Sequence, residues 1–153
     1  DEMRQRLEDH KQEIIDRAEA AKAAAKAKFG EAVQTSVGNL VDRFTANVTN
    51  LTSIATRIEA RIAELTVKGN NMDNSTALLI LARSDIATAQ DKVTALSTAL
   101  ASALASDTPK QHMQTVRDAA KAAQDAVVTA KKALEDTLKQ VRVDGAASTT
   151  PAL

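Results

Sequence analysis

The chain has 153 residues, and its 20 lysines and arginines balance 20 aspartates and glutamates, so it carries no net charge. It has no cysteine, which excludes disulfides, thiol catalysis and zinc–thiolate sites. A neutral chain offers no basic field for nucleic acid or anionic membranes, and with Phe29 and Phe44 as its only aromatic residues it lacks platforms for stacking bases.

Residues 1–36 are predicted to form a charged helical extension. Glu13 and Arg17 have the i,i+4 order that stabilises a helix. The segment from Ala20 to Ala27 contains only alanine and lysine, which are strong helix formers. Apolar residues recur along the extension at helical spacing and predict a stripe that contacts a partner. The stripe comprises Met3, Leu7, Ile14, Ala18, Ala21, Ala25, Phe29 and Val33.

Residues 29–38 are expected to form a bent or flexible junction within this helix. The stripe of the extension is out of phase with the apolar pattern that follows it, and such a slip locally unwinds a supercoil. Gly30 and Gly38 flank the slip, and each costs about 1 kcal/mol in a helix interior relative to alanine.

Three further segments carry apolar residues alternately three and four positions apart, which places each set along one side of a helix. These helices are expected over about 37–68, 75–106 and 109–143. The first seam is Val37, Val41, Phe44, Val48, Leu51, Ala55, Ile58, Ile62 and Leu65. The second is Leu79, Ala82, Ile86, Ala89, Val93, Leu96, Leu100 and Ala103. The third is Met113, Val116, Ala120, Ala123, Val127, Ala130, Leu134, Leu138 and Val141.

The connections between the helices carry capping signals. Gly69 suits the left-handed position that ends a helix, and Asn74 or Ser75 can accept from the free N–H groups of the second helix. Asp107 or Thr108 can cap the third helix in the same way. Pro109 would then take its first position, where the missing N–H costs nothing.

Three helices of similar length joined by short connections favour antiparallel neighbours. The predicted fold is therefore all-α: an antiparallel up-down-up three-helix bundle over residues 37–143, with residues 1–36 as a long N-terminal helical extension. Residues 144–153 are expected to form a flexible tail or the start of a linker.

No residue pattern indicates catalysis, a cofactor or a metal site. His10 and His112 lie far apart in the chain, whereas a metal site needs three or four ligands. The densest charged cluster on the bundle lies on helix one and is interpreted as a solvated surface; it comprises Arg57, Glu59, Arg61 and Glu64. Asn47, Asn50 and Asn74 begin sequons, but glycan attachment is not favoured, since the first two fall within a helix.

Two stretches of the predicted bundle carry no charge: residues 45–56 and residues 93–106. Folding helix one against helix two places them side by side. Depletion of charge is typical of the buried part of an interface. The alternative is that low-charge surfaces are a feature of the secreted proteins of one lineage. The interface residues expected here are Asn47, Asn50, Ser53, Thr94, Ser97, Thr98, Ala101 and Ser102.

The segment from Leu51 to Leu65 (LTSIATRIEARIAEL) is followed by Gly69 and then by an alanine-rich helix that contains Ile86 to Gln90 (IATAQ). Over about residues 40–140 this arrangement resembles uncharacterised exported, alanine-rich helical proteins of ultra-small candidate-phylum bacteria. The resemblance implies a secretion signal ahead of the chain, with which a start at Asp1 would agree, and an extracellular or cell-surface location. It implies no activity and no residue roles.

The sequence therefore predicts a non-enzymatic structural or interaction protein that is exported and forms homo-oligomers. No transmembrane segment and no nucleic acid partner are expected. The extension would dock on a neighbour, and the uncharged surface would form a second contact. The alternatives are an exported binding module for polypeptides or lipid surfaces, and a helical spacer that holds other domains apart.

Overall fold

The three segments whose apolar residues are spaced alternately three and four positions apart are α-helical in the computed structural model, which describes residues 1–147. In chain order they are α1 (Glu2–Val67), α2 (Asp73–Ala105) and α3 (Pro109–Ala147). The described residues are all-α, as predicted: a three-helix bundle with a long N-terminal helix. The contact between α2 and α3 is more extensive than the contact of either with α1.

The helix α1 has 66 residues and extends through both Gly30 and Gly38. Residues 29–38, for which a bent or flexible junction is predicted, are helical throughout. Gly30 lies against α2, because a Cβ atom added there would be 3.6 Å from Leu104 Cδ2. At about 1.5 Å per residue, α1 is about 99 Å long.

The core follows the predicted seams. All eight residues predicted for the seam of α2 are buried, and those of α1 are buried from Phe44 onward, with Val37 and Val41 half-buried. Several core positions are alanines with no exposed surface, so the backbones of the three helices can approach closely. These alanines are Ala55, Ala82, Ala89, Ala123 and Ala130.

One member of the third seam was predicted wrongly. Leu138 is 40% exposed, whereas the adjacent Thr137 is 0% exposed. Both Thr137 and Leu138 lie three or four positions from Leu134 and from Val141. The leucine was predicted to be buried because it is the more hydrophobic of the two. The threonine fits the interior because its hydroxyl donates to the carbonyl of Ala133 at 2.7 Å and leaves no polar group unpaired.

The turn after α1 forms as the glycine predicts. Gly69 has φ +97°, a left-handed conformation that glycine adopts at little cost. Its N–H donates to the carbonyl of Thr66 at 3.0 Å, and the N–H of Asn70 donates to the carbonyl of Leu65 at 3.0 Å. This pair of bonds is the Schellman motif, which satisfies the last carbonyls of a helix.

The helix α3 begins at Pro109, as predicted, and continues beyond the predicted end at Val143. Residues 144–147 are helical rather than part of a tail, since the side chain of Asn70 donates to the carbonyls of Asp144 and Gly145 at 3.1 and 3.0 Å. A Cβ atom at Gly145 would lie 3.2 Å from Leu65 Cδ1. The rest of the predicted tail, residues 148–153, lies outside the described residues.

The bundle also begins earlier than the predicted boundary at residue 37. Residues 1–28 are all exposed, but Phe29 and Gly30 are half-buried and Val33 is buried. Lys26 Nζ lies 3.2 Å from the carboxylate of Asp107 in the connection between α2 and α3. We therefore call residues 1–28 the arm, and its last turns touch the end of the bundle where α3 begins.

Candidate interaction surfaces

The arm exposes large apolar side chains along one side. Met3 is 77% exposed, Leu7 66% and Ile14 56%. The predicted stripe continues through Ala18, Ala21 and Ala25, which are also exposed. We call these six residues the arm stripe. Of the other two predicted members, Phe29 is half-buried and Val33 is buried, so both belong to the bundle.

The arm stripe leads into a groove at the base of the arm. We call it the basal groove, and its walls come from the end of the arm and from the start of α3. Its lining residues are Lys22, Ala25, Lys26, Phe29, Asp107, Thr108, Pro109, Lys110 and Gln111. The ammonium of Lys110 lies 5.9 Å from the centroid of the Phe29 ring, at the outer limit of a cation–π contact.

The uncharged surface is less polar than its composition indicates. The hydroxyls of Thr45, Thr49, Thr52 and Thr56 each donate to the carbonyl four residues earlier in α1, at 2.8 to 3.0 Å. Thr94 does the same in α2 at 3.1 Å. A hydroxyl bonded to its own helix leaves the threonine methyl group as the outward part of the side chain.

Heptad spacing shows which predicted interface residues lie between α1 and α2. Thr52 lines a shallow depression with Ala87 and Gln90, and Glu59, one heptad later, pairs with Arg83. The α1 positions at this junction are therefore Thr45, Thr52 and Glu59. The exposed α2 residues Thr94, Ser97 and Ala101 lie along the same junction by their spacing from Ala87 and Gln90.

The predicted α1 members of that surface lie elsewhere. Asn47 and Ile54 share the heptad position of Arg61, which lines a depression with Leu138 and Arg142 of α3. Asn50 and Ser53 are exposed farther around α1, and Ser102 is exposed on α2 away from the junction with α1. Thr98 shares the heptad position of Asp91, which lines the depression with Thr52, and therefore lies at the edge of that junction. The eight predicted residues thus do not form one continuous surface.

A buried polar cluster at the other end of the bundle was not predicted. The Asp144 carboxylate accepts from the N–H of Ser75 at 3.1 Å, from its hydroxyl at 2.6 Å and from Gln140 at 2.8 Å. Ser75 lies in the first turn of α2, where N–H groups have no partner within the helix. Asp144 of α3 therefore caps α2, whereas the sequence assigned this task to Asn74 or Ser75.

Hydrogen bonds hold the pKa of Asp144 below its ordinary value of 3.8. The hydroxyl of Ser75 has the largest effect, since it donates to the ionised carboxylate; burial opposes it, while Gln140 and the N–H of Ser75 add to it. The signal that could have revealed this cluster is an aspartate on the seam of α3, three residues after Val141.

The lowered pKa of Asp144 predicts a loss of stability in acid. Because the unfolded chain binds this proton more readily, the contribution of Asp144 is complete above pH 3.8 and is lost as the pH falls through the lowered pKa. Urea unfolding of the wild type and Asp144→Asn over pH 7 to 2 measures this loss. We expect the difference in unfolding free energy between the two proteins to shrink below about pH 4; a constant difference would contradict the assignment.

The ion pairs among the described residues are exposed. Glu64 lies 3.0 Å from Arg61 and 3.3 Å from Lys68, and hydrogen bonds from these cations lower the pKa of Glu64. His10 and His112 are both exposed, one on the arm and one at the start of α3. Over residues 1–147, His, Asp and Glu side chains form no group of three that could hold a metal ion.

Comparisons with known proteins give no match. No protein-family model, curated protein or solved structure matches the chain. Among the described residues, no helix has both the length and the apolar character that crossing a membrane requires.

Proposed function

We propose that this protein is a non-enzymatic structural protein that assembles with copies of itself. The observation that carries the proposal is the arm, which exposes Met3, Leu7 and Ile14 on a helix away from its own core. Removing apolar surface from water yields roughly 25 cal/mol per Å². A helix with an exposed apolar stripe therefore gains stability when a partner covers it.

The surface where α1 meets α2 is proposed as the second contact. The part of this surface formed by Thr45, Thr94, Ser97 and Ala101 carries no charge, so little desolvation cost opposes the approach of another copy there. The proposed contact ends where the charged side chains of Glu59, Arg83 and Asp91 begin. Two separate contacts let each copy join two neighbours, so an extended assembly such as a filament or surface layer can grow. By the resemblance noted above, we propose that the assembly lies outside the cell or on its surface.

Charge placed on the arm stripe tests the first contact. We expect wild-type protein to show a mass that rises with concentration in light scattering, and Leu7→Glu/Ile14→Glu to show a smaller mass at each concentration. Both side chains are more than half exposed, so the substitutions leave the bundle intact. The matched control is Gln5→Glu/Gln12→Glu, which adds the same charge off the stripe.

The same measurement distinguishes the alternatives. A wild-type protein that is monomeric at every concentration would overturn self-assembly, and flotation of that monomer with liposomes would instead favour a binding module for lipid surfaces. Equal masses for the stripe variant and its control would show that the arm stripe takes no part in the assembly. Adding Ala101→Lys to the stripe variant is expected to give a monomer, because both contacts are then lost.

A further inference from the structure

We propose that the arm pairs in antiparallel orientation with the arm of a second copy, and that the first residues of each arm lie in the basal groove of the other. This inference rests on the proposed self-assembly and specifies its partner, orientation and register. The two arms would be related by a twofold axis that passes beside residue 16 of each copy.

The charges of the arm are divided along its length. Residues 1–16 contain six acidic and three basic side chains, whereas residues 17–28 contain four basic and one acidic side chain. An antiparallel pair brings the acidic half of each arm against the basic half of the other. A parallel pair would instead bring the two acidic halves together, at a cost that rises as salt is removed.

The sizes of the apolar side chains are divided in the same way. Large residues occupy the stripe near the start of the arm, and alanines occupy it near the base. In an antiparallel pair Leu7 lies opposite Ala25 of the second copy, and Ile14 lies opposite Ala18. Each layer then joins a large and a small side chain, which allows close, evenly filled packing.

The residues that flank the stripe support this register. Glu8 faces Lys22 of the second copy on each side of the axis, and Ile15, which is 41% exposed, faces its own counterpart. Arg17 also approaches its counterpart, but Glu13 lies 2.7 Å from Arg17 in the same helix and offsets the repulsion. Lys11 lies opposite the small Ala21 of the second copy in this register, whereas a parallel pair would place Lys11 against Lys11 within the apolar seam.

The basal groove fits the first residues of a second arm. In the register above, Met3 of the second copy reaches Phe29, whose ring forms an apolar wall of the groove with Ala25 and Pro109. Lysines at positions 22, 26 and 110 line the same groove, against the single carboxylate of Asp107. Asp1 and Glu2 reach past Phe29 in this register and would lie near Lys26 and Lys110, whereas Lys22 faces Glu8.

Introduced cysteines test the orientation, since the chain has none of its own. We expect a mixture of Leu7→Cys and Ala25→Cys proteins to form a cross-linked heterodimer on oxidation or with a short bis-maleimide, and neither protein to cross-link alone. Gln12→Cys, which lies off the stripe, replaces Leu7→Cys in the control mixture and should not react with Ala25→Cys. Cross-linking of Leu7→Cys alone would show parallel arms and overturn the proposal.

Other outcomes separate this inference from self-assembly itself. Oligomers in light scattering without a cross-link between positions 7 and 25 would overturn the antiparallel arm and leave self-assembly standing. A wild-type protein that is monomeric at all concentrations would overturn both proposals.

A charge exchange provides a second measurement. Glu8→Lys is expected to weaken arm pairing about tenfold at low salt, because the twofold axis places two Lys–Lys contacts in each dimer. Glu8→Lys/Lys22→Glu should restore the affinity to within about threefold of the wild type. These positions lie about 21 Å apart in one helix and do not contact each other, so a double variant that remains as weak as Glu8→Lys would contradict the register.

Discussion

Leu96→Ala is expected to lower the free energy of unfolding by about 3 kcal/mol. Leu96 is 0% exposed and belongs to the central core. Removal of its branched end leaves a cavity as well as lost apolar contact. The fully buried Ala89, one heptad before Leu96, has no side chain that could extend into this cavity.

Urea unfolding followed by far-UV circular dichroism measures this loss. The matched control is Leu81→Ala in the same helix, where the leucine is 60% exposed and the expected change is within about 0.5 kcal/mol. Similar losses for the two variants would show that Leu96 is not held in a close-packed core.

Asp144→Ala is expected to lower the free energy of unfolding by about 2 kcal/mol at neutral pH. The substitution leaves the N–H of Ser75 and its hydroxyl without their acceptor in a buried place at the start of α2. It also removes the negative charge that lies against the positive end of the α2 dipole. The loss is measured by urea unfolding, with the exposed Asp136 changed to alanine as the control.

A double-mutant cycle with Ser75→Ala tests the assignment further. Ser75→Ala removes the hydroxyl but keeps the N–H, so the two substitutions together should cost less than the sum of their separate effects. Additive losses would show that Asp144 and Ser75 do not act on each other.

The fold could be predicted because a spacing of three and four determines which side of each helix is buried. All eight residues predicted for the seam of α2 are buried, although the seam also includes Ser75, which was not predicted. Gly69 and Pro109 marked a helix end and a helix start through backbone geometry alone. The seam of α3 was predicted wrongly at residues 137 and 138, since a threonine whose hydroxyl bonds to its own helix packs like a small apolar residue. The hydrophobicity of a threonine does not show whether its hydroxyl donates to the carbonyl four residues earlier.

The interaction surfaces could be predicted only in part. The exposed stripe from Met3 to Ala25 could be predicted from the spacing of its apolar residues. The apolar side of helix one is longer than the part that the other two helices can cover. The cluster around Asp144 depends on where the end of α3 lies relative to the start of α2, which is a tertiary property. The same reason explains why Asn47 lies toward α3 and Thr52 toward α2, although both occur in one uncharged stretch.

The unbroken course of α1 from Glu2 to Val67 has a mechanical consequence. A pull on the arm is transmitted along a single helix axis into the bundle without passing through a loop. The seams between α1 and its neighbours are then loaded in shear along their whole length, so many core side chains resist at once instead of separating one after another. Neighbouring copies joined through their arms would then transmit a tensile load from one bundle to the next.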